Sequence, residues 1–165
     1  MPRRSTEDIK AEIDKFAKLV ETFAGFNQRY HGDGPDDIPP LPAKDVWIAE
    51  CRARGASWSE ILAGYQQAVN DTLAVFATNA PDSKAYADAL LVDFESQTGQ
   101  TLFSVVTPPL RVLKAIAKRG RIQSETEYYM VKESIDALLD DPKKTRLAQQ
   151  LAEYLAGFEQ MLDED

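Results

Sequence analysis

Near both ends of this chain, apolar residues recur with the period of an α-helix. In each stretch the spacing alternates between four and three residues, which places the side chains on one stripe of a helix. The first stripe consists of Ile9, Ile13, Phe16, Val20 and Phe23. The second consists of Leu147, Leu151, Tyr154, Phe158 and Met161, widened by Leu155 and Leu162. The pattern predicts an all-α protein built from amphipathic helices.

Helix start and stop signals divide the rest of the chain. Two Ser–Glu pairs at capping-box spacing indicate helix starts: Ser57 with Glu60, and Ser124 with Glu127. Glycines at positions 55, 99 and 120 indicate helix ends. With Ser5 or Thr6 as the cap of the first helix, these signals predict a single compact bundle of about six helices over residues 1–165.

A long, acidic Pro/Gly-rich loop is predicted after the first helix. Residues 31–44 contain two glycines and four prolines, a composition that excludes regular structure. Structureless connections longer than roughly 12 residues are uncommon in compact domains, so this one is interpreted as a surface strap, with a binding element as the alternative. His31, the only histidine, is placed in this loop and outside any helix.

The segment before Pro108 has an ambiguous pattern. Residues 101–107 read TLFSVVT, with the β-branched and aromatic residues typical of strands. A lone strand could not satisfy its backbone hydrogen bonds inside a helical domain, so an extended linker is predicted instead. Thr107 is then expected to cap a helix that has Pro108 in its first turn.

Charge is distributed unevenly along the chain, whose formal net charge is −8. Residues 32–107 hold eleven acids against four Lys or Arg, and residues 147–165 hold five acids and no base. Residues 108–146 run the other way, with nine bases against six acids. Such a distribution can steer charged partners, although it does not identify them.

Few catalytic chemistries are open to this composition. Because His31 and Cys51 are the only residues of their kinds, a Ser-His-Asp triad would rest on one loop residue and a zinc site would lack its usual ligands. The chain also lacks a Walker loop, a Rossmann glycine pattern and a Ser-x-x-Lys motif. We therefore expect no enzymatic activity, no cofactor and no metal site. Cys51, Trp47 and Trp58 are expected in the core.

Residues 50–69, ECRARGASWSEILAGYQQAV, resemble the first half of a helix-turn-helix. In that family a tight turn and a recognition helix would follow, whereas here the apolar stripe continues without a break through Tyr65. No basic residue occurs between Arg54 and Lys84, so the phosphate contacts of such a helix are missing. The segment is therefore interpreted as an ordinary helical corner, and direct nucleic-acid binding by the protein is not expected.

The leading hypothesis is a small acidic protein that binds another protein and occupies a basic surface on it. Immunity proteins, antitoxins and phage-encoded inhibitors are analogous in size and charge, and acids presented to a basic surface speed association. The candidate contacts are acids of the loop and of the acidic tail, residues 159–165. They are Asp33, Asp36, Asp37, Glu159, Asp163, Glu164 and Asp165.

The alternative hypothesis is a nucleic-acid-associated regulatory domain that uses a basic helix face between residues 111 and 121. The residues concerned are Arg111, Lys114, Lys118 and Arg121, of which the first three share one face. The same face would suit another anion or an acidic partner.

A soluble cytoplasmic protein is expected. A single cysteine fits a reducing compartment, the N-terminal residues lack the apolar run of a signal peptide, and no stretch approaches the roughly 18 apolar residues of a membrane span. Self-association stays open, because the first and last stripes could also serve a partner helix.

Overall fold

The computed structural model describes residues 3–32, 41–78 and 80–164, and within them helices are the only regular secondary structure. The eight α-helices of this part of the chain are α1 (Thr6–His31), α2 (Lys44–Ala53), α3 (Trp58–Leu73), α4 (Pro81–Thr98), α5 (Leu102–Val105), α6 (Leu110–Arg119), α7 (Glu125–Leu139) and α8 (Thr145–Asp163). Two 3₁₀ turns accompany them, Ala74–Ala77 and Pro142–Lys144. The all-α prediction is confirmed, whereas the count of about six helices is wrong.

The chain divides into two compact units, with the boundary between Thr72 and Leu73. The prediction of one domain over residues 1–165 stays a prediction. No helix in the described ranges is both long enough and apolar enough to cross a membrane.

The first unit holds α1, α2 and nearly all of α3. Ser5 caps α1 in a reciprocal capping box with Asp8, as one of the two predicted caps. The core cluster of the first unit joins α1 to α3 and consists of Ile13, Ala17, Ile61, Leu62 and Tyr65. Side chains predicted in the core lie partly buried against this cluster, namely Trp47, Cys51 and Trp58.

The predicted loop over residues 31–44 has different boundaries in the structure. His31 is the last residue of α1 and Lys44 is the first residue of α2, so both ends of the prediction are corrected. The helix continues to His31 because the glycine and proline residues begin only after it, and Gly32 ends it with a positive φ of 69°. Residues 33–40, which contain most of the predicted loop, lie outside the described residues.

The second unit is built around α7 and α8, which pack against each other, with α6 against α8 and α5 against α7. Its fully buried side chains come from all five helices of the unit. They include Leu90, Phe94, Leu102, Leu113, Ile116, Met130, Val131 and Leu151. The buried residues of α6 all lie on one side, so its opposite side faces solvent.

The segment predicted as an extended linker forms the short helix α5. Leu102 and Phe103 are buried, and the Phe103 ring packs edge-on against Phe76 with centroids 5.1 Å apart. A helical turn satisfies backbone groups locally: Val106 N donates to Leu102 O at 3.0 Å. Neither a strand nor a linker is therefore needed to bury these side chains.

The start of α6 also differs from the prediction. The helix begins at Leu110, so Thr107 does not cap it and Pro108 lies outside its first turn. The reason is local, because a residue that precedes proline is disfavoured in the helical region and Pro108 precedes Pro109. The predicted end holds, since Gly120 ends the helix in the left-handed conformation.

Candidate functional site

The outer face of α6 carries an exposed row of cations. Arg111, Lys114 and Lys118 lie opposite the buried side of the helix, as the spacing predicts. Arg121 is also exposed but follows the end of the helix. None of these four side chains forms an ion pair with an acid among the described residues. The face therefore keeps its positive charge available to an anion.

A fifth cation of the same region is used within the unit. The Arg119 guanidinium pairs with Glu127 and donates to Arg121 O at 2.9 Å. Glu127 N donates to the Ser124 hydroxyl at 3.2 Å, but its carboxylate accepts from Gln123 N at 2.8 Å. The predicted capping box of α7 is therefore only half formed, because the carboxylate is drawn to Arg119 and the preceding backbone. These contacts tie the end of α6 to the start of α7.

Glu159, a predicted partner contact, takes part in packing between α7 and α8. The Tyr128 hydroxyl donates to Glu159 Oε1 at 2.6 Å, and its ring stacks on Phe158 with centroids 5.5 Å apart. Lys132 Nζ donates to the same hydroxyl at 2.9 Å. That hydrogen bond raises the pKa of Lys132 above its ordinary value. Glu159 is exposed but already has a partner.

The last turn of α8 combines carboxylates with exposed apolar side chains. Asp163 and Glu164 are exposed, and beside them Met161 is 61% and Leu162 52% exposed. Leu151, on the same stripe two to three turns earlier, is fully buried. The apolar stripe thus continues past the part of α8 that is buried against other described residues. We call residues 161–164 the α8 tip.

Asp33, Asp36, Asp37 and Asp165 lie outside the described residues. The described part of the predicted acidic surfaces consists of Glu159, Asp163 and Glu164, all of them exposed.

An apolar cavity in the first unit was not predicted from the sequence. It has a volume of about 200 Å³ and lies between α1, α3 and the start of α2. Its walls include Ala17, Val20, Leu41, Trp47, Tyr65 and Ala68. Trp47 and Tyr65 meet edge to face with centroids 4.8 Å apart. The Trp47 ring lies close to Gly64, where a Cβ would be 3.3 Å from the ring. Gly64 and Ala68, small residues one helical turn apart on α3, are the sequence signal that could have indicated the cavity.

Two charged side chains, Glu21 and Lys44, also line this cavity among the described residues. Lys44 lines it and donates to Asp14 at 2.6 Å, with Asp45 at 3.9 Å. The hydrogen bond to Asp14 raises the pKa of Lys44 above its ordinary value. Glu21 also lines the cavity, is exposed, and has no ion-pair partner in the described ranges. Burial raises the pKa of Tyr65 above its ordinary value of 10.0.

The part of the chain that the structure describes has no group of three or more His, Cys, Asp or Glu side chains placed to hold a metal ion. Comparisons of the chain with protein-family models, with curated proteins and with solved structures find no match.

Proposed function

We propose that this protein acts by binding another protein that presents a basic surface. The observation that carries the proposal is the α8 tip, where exposed Met161 and Leu162 stand next to Asp163 and Glu164. The proposed mode of action is that of an inhibitor or immunity protein, by analogy of size and charge.

Each part of the α8 tip has a distinct physical role in such a complex. Complete burial of a Met or Leu side chain contributes about 1.5–3 kcal/mol, so the apolar pair provides affinity. Carboxylates at the edge of an interface mainly attract the partner and accelerate association, and salt weakens that effect. The matching partner surface is an apolar depression surrounded by Lys and Arg.

The experiment is affinity capture from the native host with three immobilised proteins, followed by mass spectrometry and binding measurements with the recovered partner. The test variant carries Met161→Ser and Leu162→Ser, and the control carries Val92→Ser, at a side chain of α4 that is 71% exposed. We expect a basic partner that the wild type and the control retain and the test variant loses. A partner that binds all three proteins equally would refute the proposal.

A second variant separates the charges from the apolar pair. In Asp163→Asn with Glu164→Gln, we expect slower association and a weaker dependence on salt, with little change in the dissociation rate. If the dissociation rate rises as much as in the Met161 and Leu162 variant, the assigned roles are wrong.

The second candidate function is binding of a nucleic acid by the basic face of α6. It is favoured by one observation, the exposure of Arg111, Lys114 and Lys118 without acidic partners in the described ranges. Three phosphate contacts would give a slope of about −2.7 in a plot of log affinity against log salt. Binding of duplex DNA or RNA with this slope, abolished by Lys114→Glu with Lys118→Glu, would favour this function over the first.

A further inference from the structure

We propose that the cavity of the first unit is a second docking site, which takes one apolar side chain from a partner segment flanked by Lys or Arg. The inference rests on the proposed function in one respect, because it assumes a basic protein partner. It concerns a different unit from the α8 tip and different residues.

The size and lining of the cavity define the central group of this segment. At about 200 Å³ the cavity is smaller than the roughly 300–1,000 Å³ of typical small-molecule sites, so it fits a single side chain. The lining is aromatic and aliphatic, and among the described residues Lys44 and Glu21 are its charged members. An aliphatic side chain of the size of Leu would meet the rings of Trp47 and Tyr65.

The exposure of Leu41 supports a macromolecular occupant. Leu41 forms part of the cavity wall and is 54% exposed. A partner segment that fills the cavity would also cover this side chain, and removal of both apolar surfaces from water would favour binding. Interfaces commonly place an apolar anchor in such a pocket and surround it with polar contacts.

The charged groups at the cavity define the flanks of the segment. Lys44 is neutralised by Asp14, and Asp45 lies near the same ammonium group. Glu21 lines the same cavity and forms no ion pair with a described residue. Because Lys44 is paired with Asp14, the Glu21 carboxylate is left to attract Lys or Arg beside the apolar anchor.

Nuclear magnetic resonance of ¹⁵N-labelled protein tests this proposal with short synthetic peptides. The probe is acetyl-Lys-Lys-Leu-Lys-Lys-amide, and the two comparison peptides replace either the central Leu or all four Lys by Ser. The chain contains two tryptophans, of which Trp47 lines the cavity and Trp58 does not. We expect the probe to shift the Trp47 indole N–H signal saturably and to leave that of Trp58 unchanged.

The comparison peptides test the anchor and the flanks separately. We expect no saturable shift with the peptide that lacks Leu, and weaker binding with the peptide that lacks Lys. Equal binding of the Leu-free peptide would refute the apolar anchor. Equal binding of the Lys-free peptide would refute the charge requirement.

Variants with matched controls complete the test. Ala68 and Ala63 are both exposed on α3, but only Ala68 lines the cavity. Ala68→Leu is therefore expected to abolish the Trp47 shift, and Ala63→Leu is expected to keep it. Glu21→Gln should weaken binding about two- to fivefold, as expected for loss of an exposed ion pair. Retained binding in Ala68→Leu would overturn the proposal.

Failure of this proposal is distinguishable from failure of the proposed function. If the peptides do not shift Trp47 while the α8 tip variant still loses its partner, the cavity is not a docking site and the function stands. If the peptides bind the cavity while the partner binds the α8 tip variant as well as the wild type, the cavity is a docking site and the proposed role of the α8 tip is wrong.

Discussion

At the scale of single residues, neighbouring side chains of one type have different roles. Tyr128 is nearly buried and its hydroxyl bonds to Glu159 and Lys132. Tyr129, the next residue, is 55% exposed, and its hydroxyl has no hydrogen bond to a described residue. The residue type alone does not distinguish the two tyrosines, whereas their positions on α7 do.

This contrast predicts the effect of removing each hydroxyl. Tyr128→Phe should lower the free energy of unfolding by about 1–2 kcal/mol, because a hydrogen-bonded hydroxyl between two charged groups is lost. Tyr129→Phe should change it by less than about 0.5 kcal/mol. Urea denaturation of both variants measures the difference, and equal effects would contradict the assigned role of Tyr128.

A second residue-scale prediction concerns the cap of α3. The Glu60 carboxylate accepts from Ser57 N at 2.7 Å, and this hydrogen bond lowers the pKa of Glu60 below its ordinary value of 4.5. A lowered folded-state pKa means that the carboxylate stabilises the fold above about pH 4.5. That contribution is lost as the pH falls through the lowered pKa.

The test is Glu60→Gln, compared with the wild type in urea at several pH values. We expect the wild type to be more stable near pH 7 and the difference to shrink toward pH 3. Glu50→Gln, at an exposed position of α2, serves as the control and should show a smaller pH-dependent difference. If the stability difference between the wild type and Glu60→Gln grows on acidification, the predicted direction of the pH dependence is wrong.

At the scale of elements, α8 carries one apolar stripe that is buried in one part and exposed in another. Its middle is buried against α7 and α6, and its last turn exposes Met161 and Leu162. The periodicity is the same in both parts. Burial depends on whether another helix packs against that part of the stripe. The sequence of α8 does not carry this information.

Truncation of the stripe at two points makes this difference measurable. Leu151→Ala should destabilise the protein by about 2–5 kcal/mol, because it leaves a cavity in the core. Met161→Ala should change stability by less than about 0.5 kcal/mol. Thermal or urea unfolding checks both values. A large loss at Met161 would mean that the residue supports the fold and would argue against a docking role.

At the scale of the whole molecule, two compact units each have their own buried residues. Their candidate sites differ in character: the first unit has an apolar cavity lined in part by Glu21 and Lys44, and the second has a basic helix face and the acidic α8 tip. The net charge of −8 is therefore an average over surfaces of both signs.

The division into units predicts a regional response to core truncation. Ile61 is 1% exposed in the core cluster of the first unit. Ile61→Ala should cost about 2–5 kcal/mol and lower hydrogen-exchange protection more in α1–α3 than in α4–α8. Exchange measured by mass spectrometry resolves the two regions. An equal loss of protection along the chain would show that the units open together.

Much of the fold could be predicted because its signals are local. Ser5 and the Ser57–Glu60 pair cap helices where expected, and Gly120 ends α6. The errors arose where a distant or neighbouring group competed with the local signal. Arg119 draws the Glu127 carboxylate out of the predicted capping box, and Pro109 delays the start of α6.

The sites were predicted only where exposure follows from periodicity. The basic face of α6 is such a case, because one stripe of a short helix must be exposed when the other is buried. The role of Glu159 and the cavity beside Trp47 depend on contacts between residues more than 15 positions apart.

The sequence by itself determined the helical class, most helix ends and the location of the charges, because these follow from periodicity, capping chemistry and composition. The tertiary structure alone decided which apolar residues remain exposed, which acids already have partners and where space is left between side chains. The physical reason is that burial and cavities depend on the packing of separate helices, and no single helix encodes what lies opposite it.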